Sequence, residues 1–283
     1  MPRLHSIVAI LAVLFLSTLT TVLADNSPGC GKTPTLTSGA KTITVNGKSR
    51  RYFLRIPDGY DKSKPYRLIF GLHWRDADYT GVDGGTAPYY GLKKLAANSA
   101  IFIAPDGLNK GWGNTGGEDV TLVTEIMKLV EDDLCVNQKL RFSLGFSYGG
   151  AMSYALACAR PDDFRAIAVL SGAQLSGCAG GKTPVAYYGQ HGVRDGVLNI
   201  GMGRSLRDNF LKNNGCTAQT ASEPASGSKK HQKTVYAGCS TDHPVVWVAF
   251  DGDHMALPGD TGTDVGTSSW TIEEVWNFFT QFK

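Results

Sequence analysis

Apolar residues fall along this chain in short unbroken runs: YRLIFGLH (66–73), AIFIAPDG (100–107), LRFSLGFS (140–147), FRAIAVLSG (164–172), PVAYYGQHG (184–192) and VVWVAFDGDH (245–254). Each stops at Gly, His, Asp or Ser. Runs that are apolar at successive rather than alternate positions read as strands buried on both faces of a sheet. Between them the period lengthens. In GEDVTLVTEIMKLVEDDL, Val123, Ile126, Met127, Val130 and Leu134 recur at helical spacing, with Glu118 and Asp119 in the first turn where the helix dipole favours acids. YGGAMSYALACAR, MGRSLRDNFLKNN and TIEEVWNFFTQF give three more helices, the last with Ile272, Val275, Trp276 and Phe279 on one face. Upstream, TITVNGKSRRYFLRIP places Asn46-Gly47 between two β-prone runs, the pattern of a hairpin. The alternation predicts an α/β fold: a mostly parallel central sheet, helices on both faces and an N-terminal β-hairpin. Polar groups of such a sheet collect at the carboxyl ends of its strands. The stretch QTASEPASGSKKHQKT (219–234) reads as a polar surface excursion.

The first residues change the picture of where this domain resides. Arg3, the apolar run Ile7–Leu16 and the small-residue exit at Ala24 read as a secretory signal peptide over 1–24. The run is short for a membrane span of roughly 20 residues. Residues 25–283 are then expected to be a single soluble, extracellular domain and a monomer. A net charge of +3 with scattered Lys and Arg points to neither nucleic acid nor a membrane surface. Six cysteines follow the leader: Cys30, Cys135, Cys158, Cys178, Cys216 and Cys239. An even number in a secreted chain implies three disulfides, with fifteen pairings possible. Cys216 with Cys239 is one candidate pair, pinning the base of the polar excursion. Without a CxxC pair, no metal site is expected.

GFSYG at 145–149 joins a strand run to a helical one, the context in which G-x-S-x-G acts as a nucleophile elbow. Ser147 is the candidate nucleophile. Its hydroxyl needs a base, and His254, in the loop DGDHMALPGD after the last strand run, is best placed among the histidines that follow. His231 sits in the excursion and His243 at the wrong end of a strand. Asp195 in QHGVRDGVLN completes the order Ser, Asp, His of an α/β-hydrolase triad, whereas Asp251 and Asp253 read as turn caps. His191 reads as ordering the loop that carries Asp195. An oxyanion needs two donors at about 2.7 to 3.1 Å. The backbone N–H of Tyr148 is one candidate. The other lies in the loop His73-Trp74-Arg75, with Arg75 favoured over Trp74 by position.

GLNKGWGNTGGEDV, FSLGFSYGGAMSYALAC, SGAQLSGCAGG, PVAYYGQHGVRDGVLN and the terminal GDH together resemble the secreted fungal feruloyl esterases of types C and D, related to polyhydroxybutyrate depolymerases and acetyl xylan esterases. The likeness covers nearly all of residues 25–283, cysteines included. It implies hydrolysis of ferulate and related hydroxycinnamate esters of plant cell-wall arabinoxylan, without a cofactor, and carries the triad onto Ser147, Asp195 and His254. Trp74, Tyr148, Trp112 and Tyr89, with Tyr90, are the candidate aromatic walls of an acyl pocket. The competing expectations are an acetyl xylan esterase, a polyester depolymerase and a catalytically dead wall-binding protein.

Overall fold

The computed structural model describes residues 25–283; the leader assigned to 1–24 lies outside the described residues. The hairpin forms as its turn dictates. β1 (Gly39–Val45) and β2 (Lys48–Arg55) are antiparallel, and Asn46 and Gly47 take the positive φ angles (50° and 74°) that a tight two-residue turn requires. β3 (Tyr66–Leu72), β4 (Ala100–Pro105), β5 (Val136–Phe146), β6 (Ala166–Leu170), β7 (Ala186–Gly192) and β9 (Val245–Phe250) are parallel to their neighbours among themselves. With β8 (His231–Val235) at its far edge, the sheet runs β1-β2-β4-β3-β5-β6-β7-β9-β8.

Successive strand residues feed opposite layers, which is why the runs carry no polar alternation. Leu68, Phe70, Leu72, Ile167 and Val169 pack under α3 (Glu118–Asp133), α4 (Tyr148–Ala159) and α5 (Ile200–Asn213). Ile69, Ala166, Ala168 and Leu170 pack under α1 (Tyr79–Asp83), α2 (Leu92–Ala96) and α6 (Trp270–Thr280). Both faces of the sheet are thereby covered, and the strand ends bearing Ser147, Asp195 and His254 share one edge of it.

The polar excursion is corrected by the structure. Its end forms β8 (His231–Val235), an edge strand antiparallel to β9 with His231 opposite Phe250. An edge strand has one flank in solvent, so HQKTV carries polar residues a central strand could not. The six cysteines pair as Cys30–Cys135, Cys158–Cys178 and Cys216–Cys239. Among the described residues no helix is long and apolar enough to cross a membrane.

Candidate active site

β5 ends at Phe146 and α4 begins at Tyr148, leaving Ser147 alone in the turn between them. Its backbone sits at φ 56°, ψ −117°, a conformation a side chain rarely adopts. Close packing maintains it. A Cβ on Gly145 would lie 2.3 Å from the carbonyl carbon of Gly149, and one on Gly149 would lie 2.1 Å from the oxygen of Leu72. The pentapeptide needs glycine at both places for that reason. Ser147 N–H donates to the carbonyl of Leu170 (2.9 Å), anchoring the elbow to β6.

Asp195 and His254 come together from the loops after β7 and β9. The carboxylate Oδ2 of Asp195 accepts from Nδ1 of His254 at 2.7 Å. Its Oδ1 accepts from the amides of Val197 (2.9 Å) and Leu198 (2.8 Å). Burial works against ionisation of this carboxyl, yet hydrogen bonds from His191, His254 and Leu198 outweigh it and hold the group far below the usual carboxylate range. Asp253 instead ties the two loops together, its Oδ1 accepting from the amides of Gly196 (2.9 Å) and His254 (2.8 Å). Asp251 accepts from Arg194 and from the amide of Lys229. The His254 ring lies 4.6 Å from that of Phe146, and its buried Nε2 bonds to no other group among the described residues.

The loop after β3 is held by its carbonyls. Tyr90 donates its hydroxyl to Leu72 O (2.6 Å) and accepts from Phe146 N–H (3.2 Å), bracing this loop against the elbow. Trp112 Nε1–H donates to His73 O (2.7 Å). His73, fully buried, donates from Nδ1 to Trp74 O (2.7 Å) and accepts at Nε2 from Gly107 N–H (3.0 Å), a pattern only the neutral ring can make. Trp74 C=O and Arg75 N–H belong to one planar trans peptide, so turning the carbonyl toward His73 turns the Arg75 amide away from it.

Burial pushes the His73 imidazole below its ordinary pKa. The unfolded chain, with histidine near pKa 6.5, therefore binds the proton more readily than the folded one. The stability this neutral ring contributes is complete above about pH 6.5 and is lost as pH falls below it. Thermal unfolding between pH 7 and 5 should show Tm falling with acidity, and His73→Gln should flatten that slope while lowering Tm at pH 7. An unchanged slope in the variant would remove His73 from the acid sensitivity; half-buried His243, also shifted downward, accounts for a remainder.

Ser147 and His254 open onto one cavity of about 470 Å³, whose other walls are Trp74, Arg75, Phe146, Tyr148, Leu175, Val197 and Leu198. No protein-family model matches the chain. Feruloyl esterase C of Emericella nidulans is 52% identical over 269 residues, which are 94% of this chain and 96% of that protein. Feruloyl esterase D of Neurospora crassa is 48% identical, with 100% of both chains covered. The chain belongs to the fungal feruloyl esterase C and D family. Two solved structures, an acetyl xylan esterase from Aspergillus awamori (TM-score 0.60, 13% identity, 86% of this chain and 99% of that one) and a ferulic acid esterase from Anaeromyces mucronatus in complex with ferulic acid (0.57, 16%, 90% and 95%), share its α/β-hydrolase fold.

Two of the candidate aromatic walls for the acyl pocket of this esterase are core residues instead. Trp112 and Tyr89 are both fully buried. Trp112 packs beside the His73 ring at 4.7 Å, its indole N–H spent on the His73 carbonyl; Tyr89 packs on Phe102 at 4.7 Å, beneath β3. Tyr90 is likewise a buried brace. The walls missed in the sequence are Phe146, at the end of β5, and three aliphatic residues: Leu198, with Leu175 and Val197, 45% and 66% exposed on loops after β6 and β7. Lone apolar residues in loops have no periodicity to mark them; their exposure at a site is the signal. Trp74, Tyr148 and Arg75 do line the cavity.

Proposed function

We propose that this esterase cleaves feruloyl and related hydroxycinnamoyl esters of cell-wall arabinoxylan through a Ser147 acyl-enzyme, with His254 as base and Asp195 as its orienting acid. The contact between Asp195 Oδ2 and His254 Nδ1 carries the reading, because it leaves Nε2 as the ring nitrogen able to take the serine proton. Ser147 Oγ attacks the ester carbonyl as its proton passes to Nε2. The oxyanion meets the N–H groups of Tyr148, at the start of α4, and Arg75, turned away from His73. His254 then gives the proton to the departing sugar alkoxide. Water, deprotonated by the same nitrogen, releases the acid and restores Ser147. Each step uses protein groups and water alone, without a cofactor. The three disulfides and the leader-like first residues support an extracellular site of action.

The acyl group is what separates a feruloyl esterase from an acetyl esterase on the same fold. Trp74 lies edge-on to Phe146 (6.3 Å) beside the reacting serine, and Leu175 and Val197 extend the apolar wall outward. A planar cinnamoyl ring there gains from burial at about 25 cal/mol per Å² and from ring contacts of roughly 0.5 to 1.5 kcal/mol. An acetyl group collects little of either. Trp74→Ala should lower kcat/KM for methyl ferulate by the equivalent of about 1 to 3 kcal/mol and that for an aryl acetate much less. Steady-state kinetics on methyl cinnamates, aryl acetates and a short polyester decide it. Parallel losses would reduce Trp74 to a support of its loop, and a wild-type preference for acetate would overturn the substrate assignment.

A further inference from the structure

His191 lies near the end of β7 with no exposed surface. Its Nε2 sits 2.6 Å from the carbonyl of Leu198 and 3.1 Å from Asp195 Oδ2. A carbonyl only accepts, so Nε2 carries the proton and directs it at Leu198 O, with Asp195 Oδ2 a second, longer contact off the N–H axis. The other nitrogen gains nothing: Nδ1 is buried with no partner among the described residues. The ring is wedged between Trp247, stacked 6.3 Å away at an interplanar angle of 23°, and α5, where a Cβ on Gly203 would come within 2.3 Å of Nδ1. A buried nitrogen without a partner is a standing cost that an apolar side chain in the same space would not carry. What offsets it lies on the Nε2 side.

That side faces Asp195. Two loop amides fix Oδ1, and two imidazoles converge on Oδ2, His254 at 2.7 Å and His191 at 3.1 Å. Rotation about the Asp195 Cβ–Cγ bond swings both oxygens at once, so the amides on Oδ1 and the two imidazoles against Oδ2 hold the carboxylate plane jointly, with His191 as the contact that backs Oδ2 on the side away from His254 Nδ1. We propose that His191 is a positioning residue for ester hydrolysis, a second imidazole that locks the Asp195 carboxylate in line with His254 Nδ1. This rests on the Ser147–His254–Asp195 reading. The alternative is a brace on Leu198 O that serves the cavity wall and not the acid.

His191→Met and His191→Gln are matched in length and differ in whether the side-chain tip can donate. Each is made alone and with Asp195→Asn, checked for folding by thermal unfolding, and assayed on methyl ferulate. Positioning predicts that Met lowers kcat about 10- to 100-fold, with KM changed less than about two-fold, because misplacing a catalytic group slows the step without loosening the substrate. Gln should stay within about five-fold of wild type, and in the Asp195→Asn background Met should cost less than about two-fold, since the group it serves is already disabled. A Met penalty that persists in that background, or one that falls on KM, assigns His191 to the loop and overturns the proposal. Should Met not be recovered folded, Gln decides alone: a folded His191→Gln slowed by about ten-fold or more overturns it. An Asp195→Asn enzyme of near wild-type activity would remove the triad reading itself, and this role with it.

Discussion

Ser147→Ala is expected to lower kcat on methyl ferulate by roughly 10⁵- to 10⁶-fold, the scale on which serine nucleophiles fail, while thermal unfolding stays close to that of the wild type. The elbow tolerates the change because alanine needs no more room than serine and the N–H that anchors the turn to Leu170 is untouched. What vanishes is the Ser147 hydroxyl, which opens with His254 onto the cavity and is the group proposed to be acylated. His254→Ala should be nearly as severe, and the double variant little worse than either, since the two act as a unit. The wild-type protein incubated with a fluorophosphonate should gain one adduct, located at Ser147 by peptide mass spectrometry, and the Ser147→Ala protein none. A Ser147→Ala enzyme within about ten-fold of wild type would refute the whole assignment.

The second large effect separates two neighbouring carboxylates. Asp195→Asn should cost roughly 10⁴-fold in kcat, because an amide nitrogen turned toward His254 cannot accept from Nδ1, and the ring then settles in the wrong tautomer. Asp253→Asn should stay near wild type: the Oδ1 that receives the Gly196 and His254 amides survives in asparagine. Both variants change one oxygen to nitrogen, so a difference between them reports position and not charge removal in general. If Asp253→Asn failed and Asp195→Asn did not, the acid would have to be reassigned. Parallel measurement of kcat on the two variants settles which loop supplies it.

The strands that form the middle of the sheet were legible because both of their faces are buried, and burial on both faces writes itself as an unbroken apolar run. β8 was not. With one flank in solvent, His231–Val235 needs little hydrophobicity, and it pairs only because β9 offers a free edge elsewhere in the chain. The elbow was readable for a different reason, since the crowding at Gly145 and Gly149 is local and falls within one short stretch. The contact of Asp195 with His254 spans two loops, and its approximate place followed from the strand ends those loops leave. The cavity walls did not follow. Aromatic residue type says that a side chain packs well, not on which side of a loop it packs, so Trp112 and Tyr89 went under the loop after β3 and under β3 itself while Leu175 and Val197 faced the opening.

The three disulfides join the first cysteine to the second, the third to the fourth and the fifth to the sixth. None is nested in or interleaved with another. A chain delivered from its N-terminus into an oxidising compartment therefore always finds the native partner as the newest thiol available. Cys30 waits through 105 residues for Cys135, but no competing cysteine arrives in the interval; the later pairs close over 20 and 23 residues. Order of emergence alone thus selects one connectivity out of fifteen. A fully reduced chain released all at once loses that guidance, and its short-range thiols, whose loops close at lower entropic cost, compete to pair across the native boundaries. Biosynthetic oxidation and test-tube refolding of the same sequence are consequently different problems, the first solved by timing and the second by reshuffling.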